Sequence, residues 1–185
     1  MKEGIIIAKE GIYMSLIEQT EYDVVLKEDV MEIRSYKGYN IVEISKKIGN
    51  GMDSGFNDIF RYISGENDES RKISMTAPVL SEMDEDSMKT AFVMPKALSF
   101  EDLPQPLDKS LAVRHVSEGI YGVIGFSGIW KQEKFLNMGG HLKLWLESKG
   151  YRVISNAIVA RYNPPITLPF MRRNEILFKV EKSVK

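Results

Sequence analysis

SGFNDIFRYISGENDESRKISMTAPVL, residues 54–80, carries a helix pattern, a charged connection and a strand pattern in immediate succession. Phe56, Ile59, Phe60 and Ile63 recur at i, i+3, i+4 and i+7. That spacing sets four large apolar side chains on one helical stripe. Ser54 is the expected N-cap, and Gly65, just past the last apolar residue, the expected stop. Residues 66–72 are nearly all polar and read as a solvated connection. Residues 73–80 turn β-like, with Pro78 marking a strand end or an edge because it has no N–H for a ladder. A helix with so wide an aromatic face must lie against a sheet. The face then serves as core, as one wall of a ligand groove, or as both.

On the N-terminal side, residues 22–48 alternate as two or three short strands around a turn at Lys37-Gly38. On the C-terminal side, residues 81–87 are acidic and loop-like. Residues 88–94 return to strand and stop at Pro95. Prolines 95, 104 and 106 mark residues 95–110 as a connection, with Leu98, Phe100, Leu103 and Leu107 available to pack down. The pattern then recurs. Residues 111–117 alternate, Glu118-Gly119 repeats the turn, and 131–149 read as a helix ended by Gly150. Gly139-Gly140 is expected to break that helix in two. Residues 151–162 and 174–181 are the closing strands.

The recurrence has a register. Gly65 and Gly150 lie 85 apart, as do Phe60 and Trp145, Ile59 and Leu144, and Val93 and Phe178; the two turns lie 81 apart. Spacing this constant across several elements points to a duplicated strand-strand-helix-strand-strand unit. Two such units are expected to join as one α+β domain: a distorted antiparallel β-barrel of about eight strands flanked by two helices. The halves cover about 21–95 and 111–182, and residues 1–20 form an N-terminal extension.

Composition narrows the function. With 25 basic and 26 acidic residues the net charge is −1, which gives no electrostatic footprint for nucleic acid. The absence of cysteine excludes disulfides, thiolate metal sites and Cys nucleophiles, and suits a cytoplasmic protein. The apolar run at 4–8 is too short for a membrane span. No phosphate-binding glycine loop and no nucleophile-elbow pattern is present.

Several segments together resemble the SOUL haem-binding protein family. They are Glu21 to Val25, Met31 to Tyr36, Ile73 to Val79 (ISMTAPV), Phe92 to Pro95, Phe126 to Gly128, Tyr162 to Pro165 and Arg172 to Ile176 (RRNEI). The resemblance spans nearly the whole chain. It implies a duplicated, barrel-like fold that binds haem or another tetrapyrrole in an apolar groove, without catalysis. The first helix forms one wall of that groove. Its ligand positions correspond here to Phe56, Ile59, Phe60 and Arg61, with the loop around Ile166 and Thr167 opposite. Some members carry a histidine after the Ile-Arg of the second strand as an axial ligand. Here that position is Ser35, and an alcohol does not serve as a haem ligand. The expectation is therefore haem, or another porphyrin, held without a strong axial histidine, and no resident metal.

Further candidates follow from residue chemistry. Arg61 neighbours the apolar stripe and could pair with a propionate. Met75 carries a thioether that could reach iron. His115 and His141 lie 26 apart with no ligand-spaced partner. Arg172-Arg173 either clamp an anion or fix the turn before the last strand. The alternative function is a small-molecule sensor of the gyrase-inhibitor-like fold, binding an amphipathic cation or another apolar small molecule. It requires a groove carboxylate, for which Glu32 and Glu43 are the strand candidates.

Overall fold

The structure, a computed structural model, describes residues 17–47, 55–84, 86–129 and 131–183. Ser54 and the apolar run at 4–8 lie outside the described residues. The strands are Glu18–Gln19 (β1), Tyr22–Glu28 (β2), Met31–Tyr36 (β3), Tyr39–Lys47 (β4), Thr76–Ala77 (β5), Val79–Met83 (β6), Ser87–Val93 (β7), Leu111–Val116 (β8), Gly119–Phe126 (β9), Tyr151–Val153 (β10), Ile158–Arg161 (β11) and Asn174–Lys182 (β12). The helices are Phe56–Ile63 (α1) and Gln132–Ser148 (α2).

Ten strands form one antiparallel sheet, ordered β2-β3-β9-β12-β11-β6-β7-β4-β8, with β10 laid along β12. β1 and β5 make a separate parallel pair. The architecture is α+β, an antiparallel half-barrel with two helices, as the duplication implies. The ordered path runs from β2 to β8 without closing. Eight of its strands follow a palindrome. Exchanging β3, β4, β6 and β7 for β8, β9, β11 and β12 and reading backwards returns the same order. The register repeats too: Ile41 faces Val93, and their counterparts 81 and 85 residues on, Gly122 and Phe178, also face each other.

Cross-strand pairing assigns the two faces. Residues directly opposite one another share a face, and neighbours along a strand alternate. Met31, Ile124, Ile176, Val159, Ser81, Thr90, Ile44 and Leu111 form one such row across the sheet. Both helices pack on this face. α1 covers Val42, Ile44, Val79 and Phe92, while α2 covers Ile33, Ile124, Ile176 and Phe178. The opposite face is the inside of the half-barrel, lined by Tyr36, Tyr121, Tyr162 and Leu177.

Four sequence expectations need correction. Residues 66–72 are not merely solvated: Asn67 is buried, and its amide clips the loop shut through Tyr62 O, Arg71 O and Arg71 N–H. The strand expected over 73–80 is instead two, β5 from Thr76 and β6 to Met83, split at Pro78, and the acidic stretch narrows to a turn closed by Asp84 N–H on Ser87 O. Gly139-Gly140 does not break α2, which is continuous. Each glycine costs about 1 kcal/mol in a helix interior, but Leu142, Trp145 and Leu146 anchor the helix in the core. Finally, the helices do not match at the 85-residue offset. Ile59, Tyr62 and Ile63 are buried, as are Leu142, Trp145 and Leu146, whereas Leu144 and Phe60 are exposed. Packing equates the helices at 83; the glycines that end them, both with positive φ, stay at 85.

Candidate functional site

The stripe predicted for α1 is rotated in the structure. Ile59, Tyr62 and Ile63 face the sheet, and the Tyr62 hydroxyl donates to Pro104 O at 2.8 Å. Tyr62 was missed because a tyrosine outside the i, i+3, i+4 set reads as polar. Its partner, in the proline-rich connection, is invisible locally. Phe60 is displaced to the rim and is 47 % exposed. It stacks on Phe56, ring centroids 6.1 Å apart and 12° from parallel, and Phe56 in turn contacts Phe92 at 4.9 Å. The aromatic pair thus runs from core to solvent, with its outer ring uncovered.

The other predicted positions divide. Ile59 is wholly buried and Met75 is partly buried against the same cluster, so both back the wall from within. Arg61 is surrounded by carboxylates: Asp58 at 3.2 Å, Glu66 at 3.6 Å and Asp108 at 4.0 Å. Such exposed pairs are individually weak, but together they leave little field for an incoming propionate. Ile166 is 93 % exposed. It sits with Thr167 on the β11–β12 loop, which is tied to the β9–α2 connection by Gly128 N–H donating to Pro169 O at 2.8 Å. Phe56, Ile59, Phe60 and Met75 are brought together; Ile166 and Thr167 belong to a separate loop. Ser35 lies two residues from Ile33 and shares its face, so it points to the α2 side of the sheet and away from the strands beneath α1.

Arg161 was not singled out in the sequence. It lies opposite Val79 on the helix face, between the regions covered by α1 and α2, and its guanidinium donates to Ser81 Oγ at 3.2 Å. Only the strand register reveals this, because Arg161 and Val79 are distant in sequence.

Inside the half-barrel sits an ionic network. Arg34 grips Glu175 with two hydrogen bonds, at 2.9 and 3.0 Å, and Glu32 with a third at 2.6 Å. Arg173 and the Tyr162 hydroxyl each donate to Glu175 at 2.8 Å. Burial alone pushes the Glu175 carboxyl upward. The Arg34 and Arg173 guanidiniums outweigh it and hold the group below the ordinary carboxylate range. Burial pushes the Tyr162 hydroxyl up, and the Glu175 charge reinforces that. Arg173 therefore braces the start of β12, while Arg172 donates to Thr167 O and Pro165 O within the preceding loop. Both arginines fix the turn. Glu32 and Glu43 face away from the helices, Glu32 paired with Lys27 and Arg34, Glu43 with Arg114. Neither is a groove carboxylate.

A cleft of about 620 Å³ opens elsewhere, at the mouth of the half-barrel. Tyr39, Val93, Met94, Leu98 and Phe100 supply its apolar lining, and Lys37, Lys96 and His115 its basic groups. His115 Nδ1 meets Asn40 Oδ1 at 2.8 Å. An amide oxygen only accepts, so Nδ1 is the donor in this contact.

The sequence profile of the SOUL heme-binding protein family matches residues 17–179. Heme-binding protein 2 of Homo sapiens is 27% identical over 141 residues, covering 71% of this chain and 67% of that protein. Among solved structures, the C-terminal domain of EcmrR superposes with a TM-score of 0.64 at 10% identity, over 87% of this chain and 98% of that one. A hydrolase from Listeria innocua superposes with a TM-score of 0.61 at 12% identity, over 85% and 94%. At these identities the two structures establish a shared fold and nothing about chemistry.

Proposed function

The chain belongs to the SOUL heme-binding protein family, and we propose that it binds haem or a related tetrapyrrole on the aromatic rim of α1, by burial of apolar area rather than through a strong axial histidine. The observation that carries this reading is the Phe56–Phe60 stack with its outer ring open to solvent. A planar macrocycle needs such a flat platform. Ile59 and Met75 stiffen it from behind. Ile166 and Thr167 form the far side, on the loop that follows Arg161. Arg61 is a poor partner for the propionates, because its surroundings are already acidic.

The magnitudes are adequate. Burying roughly 500 Å² of apolar surface at about 25 cal/mol per Å² gives about 12 kcal/mol. Lost freedom on association takes back at least about 4 kcal/mol. At most about 8 kcal/mol remains, which sets micromolar affinity as the tight limit.

The reading is of a binding protein and not an enzyme. The convergent polar groups of this fold, Arg34, Glu175, Arg173 and Tyr162, saturate one another on the far side of the sheet. The two strand carboxylates expected for the cation-sensor alternative, Glu32 and Glu43, are held in ion pairs on that same far side. A second location for the same ligand is the cleft lined by His115, whose Nδ1 is held by Asn40 while Nε2 packs beside Gly38 and would have to turn from it to meet iron.

Hemin titration of the purified protein separates the two locations. The α1 rim predicts a weak, broad Soret change that Phe60→Ala diminishes more than His115→Ala. A sharp low-spin spectrum abolished by His115→Ala and untouched by Phe60→Ala would move the site to the cleft.

A further inference from the structure

The loop from Asn163 to Arg172 exposes Ile166, Leu168, Phe170 and Met171 in close succession, Phe170 at 72 %. These side chains are not exposed through lack of structure. Thr167 N–H donates to Pro164 O at 3.0 Å and Met171 N–H to Leu168 O at 2.9 Å. Arg172 donates to Thr167 O at 2.8 Å and to Pro165 O at 2.7 Å, stitching the loop from its base. Gly128 N–H holds Pro169 O from the neighbouring connection, and Asn174 returns a bond to Gly128 O at 3.2 Å. A braced loop that shows four large apolar groups to water needs a non-aqueous contact to account for its composition.

The charges around it indicate which contact. Ile129, also exposed, lies beside the anchoring Gly128. Lys134 donates its ammonium to Ser127 O at 2.8 Å, and Lys131 is exposed at the start of α2. Within residues 127–136 and 163–173, Lys131, Lys134 and Arg172 stand against Glu133, while Arg173 is neutralised by Glu175. The loop is therefore an apolar projection with a basic base. That arrangement suits a bilayer interface, where apolar side chains enter the acyl boundary and cations meet anionic headgroups. A pocket-bound peptide would need enclosing walls, whereas Leu168, Phe170 and Met171 are all more than half exposed to solvent.

We infer that the β11–β12 loop is a peripheral docking element for anionic lipid bilayers, inserting Leu168, Phe170 and Met171 while Lys131 and Lys134 face the headgroups. The inserting residues Leu168, Phe170 and Met171 differ from Ile166 and Thr167, the loop positions proposed for the tetrapyrrole, and vesicle binding is measured on the chain without hemin.

The full chain is sedimented at low salt with vesicles of phosphatidylcholine alone and of equimolar phosphatidylcholine and phosphatidylserine. The expected result is binding to the anionic vesicles, reduced about tenfold or more by Phe170→Asp and by Leu168→Asp. Lys131→Glu/Lys134→Glu should weaken it on anionic vesicles by a comparable factor. Unchanged thermal melting and an unchanged hemin titration for Phe170→Asp would show that the variant is folded. No binding to anionic vesicles overturns the inference. So does equal binding by wild type and Phe170→Asp. Self-association that Phe170→Asp abolishes, without vesicle binding, would reassign the loop to contacts between copies of the chain.

Discussion

Replacing Glu175 by alanine removes the centre of the network that ties β3, β11 and β12 together inside the half-barrel. Arg34 is left with a side chain only 5% accessible, and of its carboxylate partners Glu32 alone remains. The Tyr162 hydroxyl loses its acceptor, and Arg173 keeps only Gln19 and Tyr22 of its side-chain acceptors. Removing one member of a buried ion pair costs about 3–5 kcal/mol, because the remaining charge stays desolvated. For a domain of this size each kcal/mol moves Tm by about 2–4 °C, so the expected loss is about 6–20 °C. At neutral pH, far-UV circular dichroism measures the Tm shift by thermal unfolding and the free-energy loss by urea unfolding. The same group sets an acid limb. Its folded carboxyl lies below the ordinary value of 4.5. The stability it contributes is complete above that value and is lost as pH falls through the folded one. Wild type should therefore lose stability in acid more steeply than Glu175→Gln. A Glu175→Ala variant within about 0.5 kcal/mol of wild type, the range of ordinary surface changes, would refute the assignment. So would parallel acid limbs for wild type and Glu175→Gln.

Asn67→Ala should cost about 1–3 kcal/mol by stranding the buried Tyr62 and Arg71 backbone groups, and should raise hydrogen exchange across residues 62–73. Gly122→Ala places a methyl 2.5 Å from the Leu146 side chain, so Leu146 or α2 must shift; a loss of about 1–3 kcal/mol in chemical unfolding is expected. Ile59→Ala should cost about 2–5 kcal/mol, whereas Phe60→Ala, already at the rim, should leave the melting temperature nearly unchanged and act on ligand binding instead.

The fold was legible because duplication writes itself twice. The offsets of 81 and 85 residues survive as the pairing of Ile41 with Val93 and of Gly122 with Phe178. What failed was local inference about residues whose partners are remote. Tyr62 and Asn67 look polar in isolation; one is buried by Pro104 and the other by the loop it organises. Gly139-Gly140 looks like a break until the packing of Leu142 and Trp145 is known. Phe60 was assigned to the buried stripe by spacing alone, yet an eight-residue helix is too short for periodicity to fix its rotation on a sheet. Arg161 and the His115 cleft could not be read at all, since only sheet register and loop placement create them. The Arg34–Glu175 network joins residues 141 apart and left only the RRNEI run as a trace.

The account rests on apolar burial rather than iron ligation. Parallel titrations with hemin and with metal-free protoporphyrin test it most directly. Equal micromolar affinities, both weakened by Phe60→Ala and neither by His115→Ala, are the predicted result. Hemin binding at least about tenfold tighter than protoporphyrin, a gap of about 1.4 kcal/mol that only the iron can supply, would contradict it.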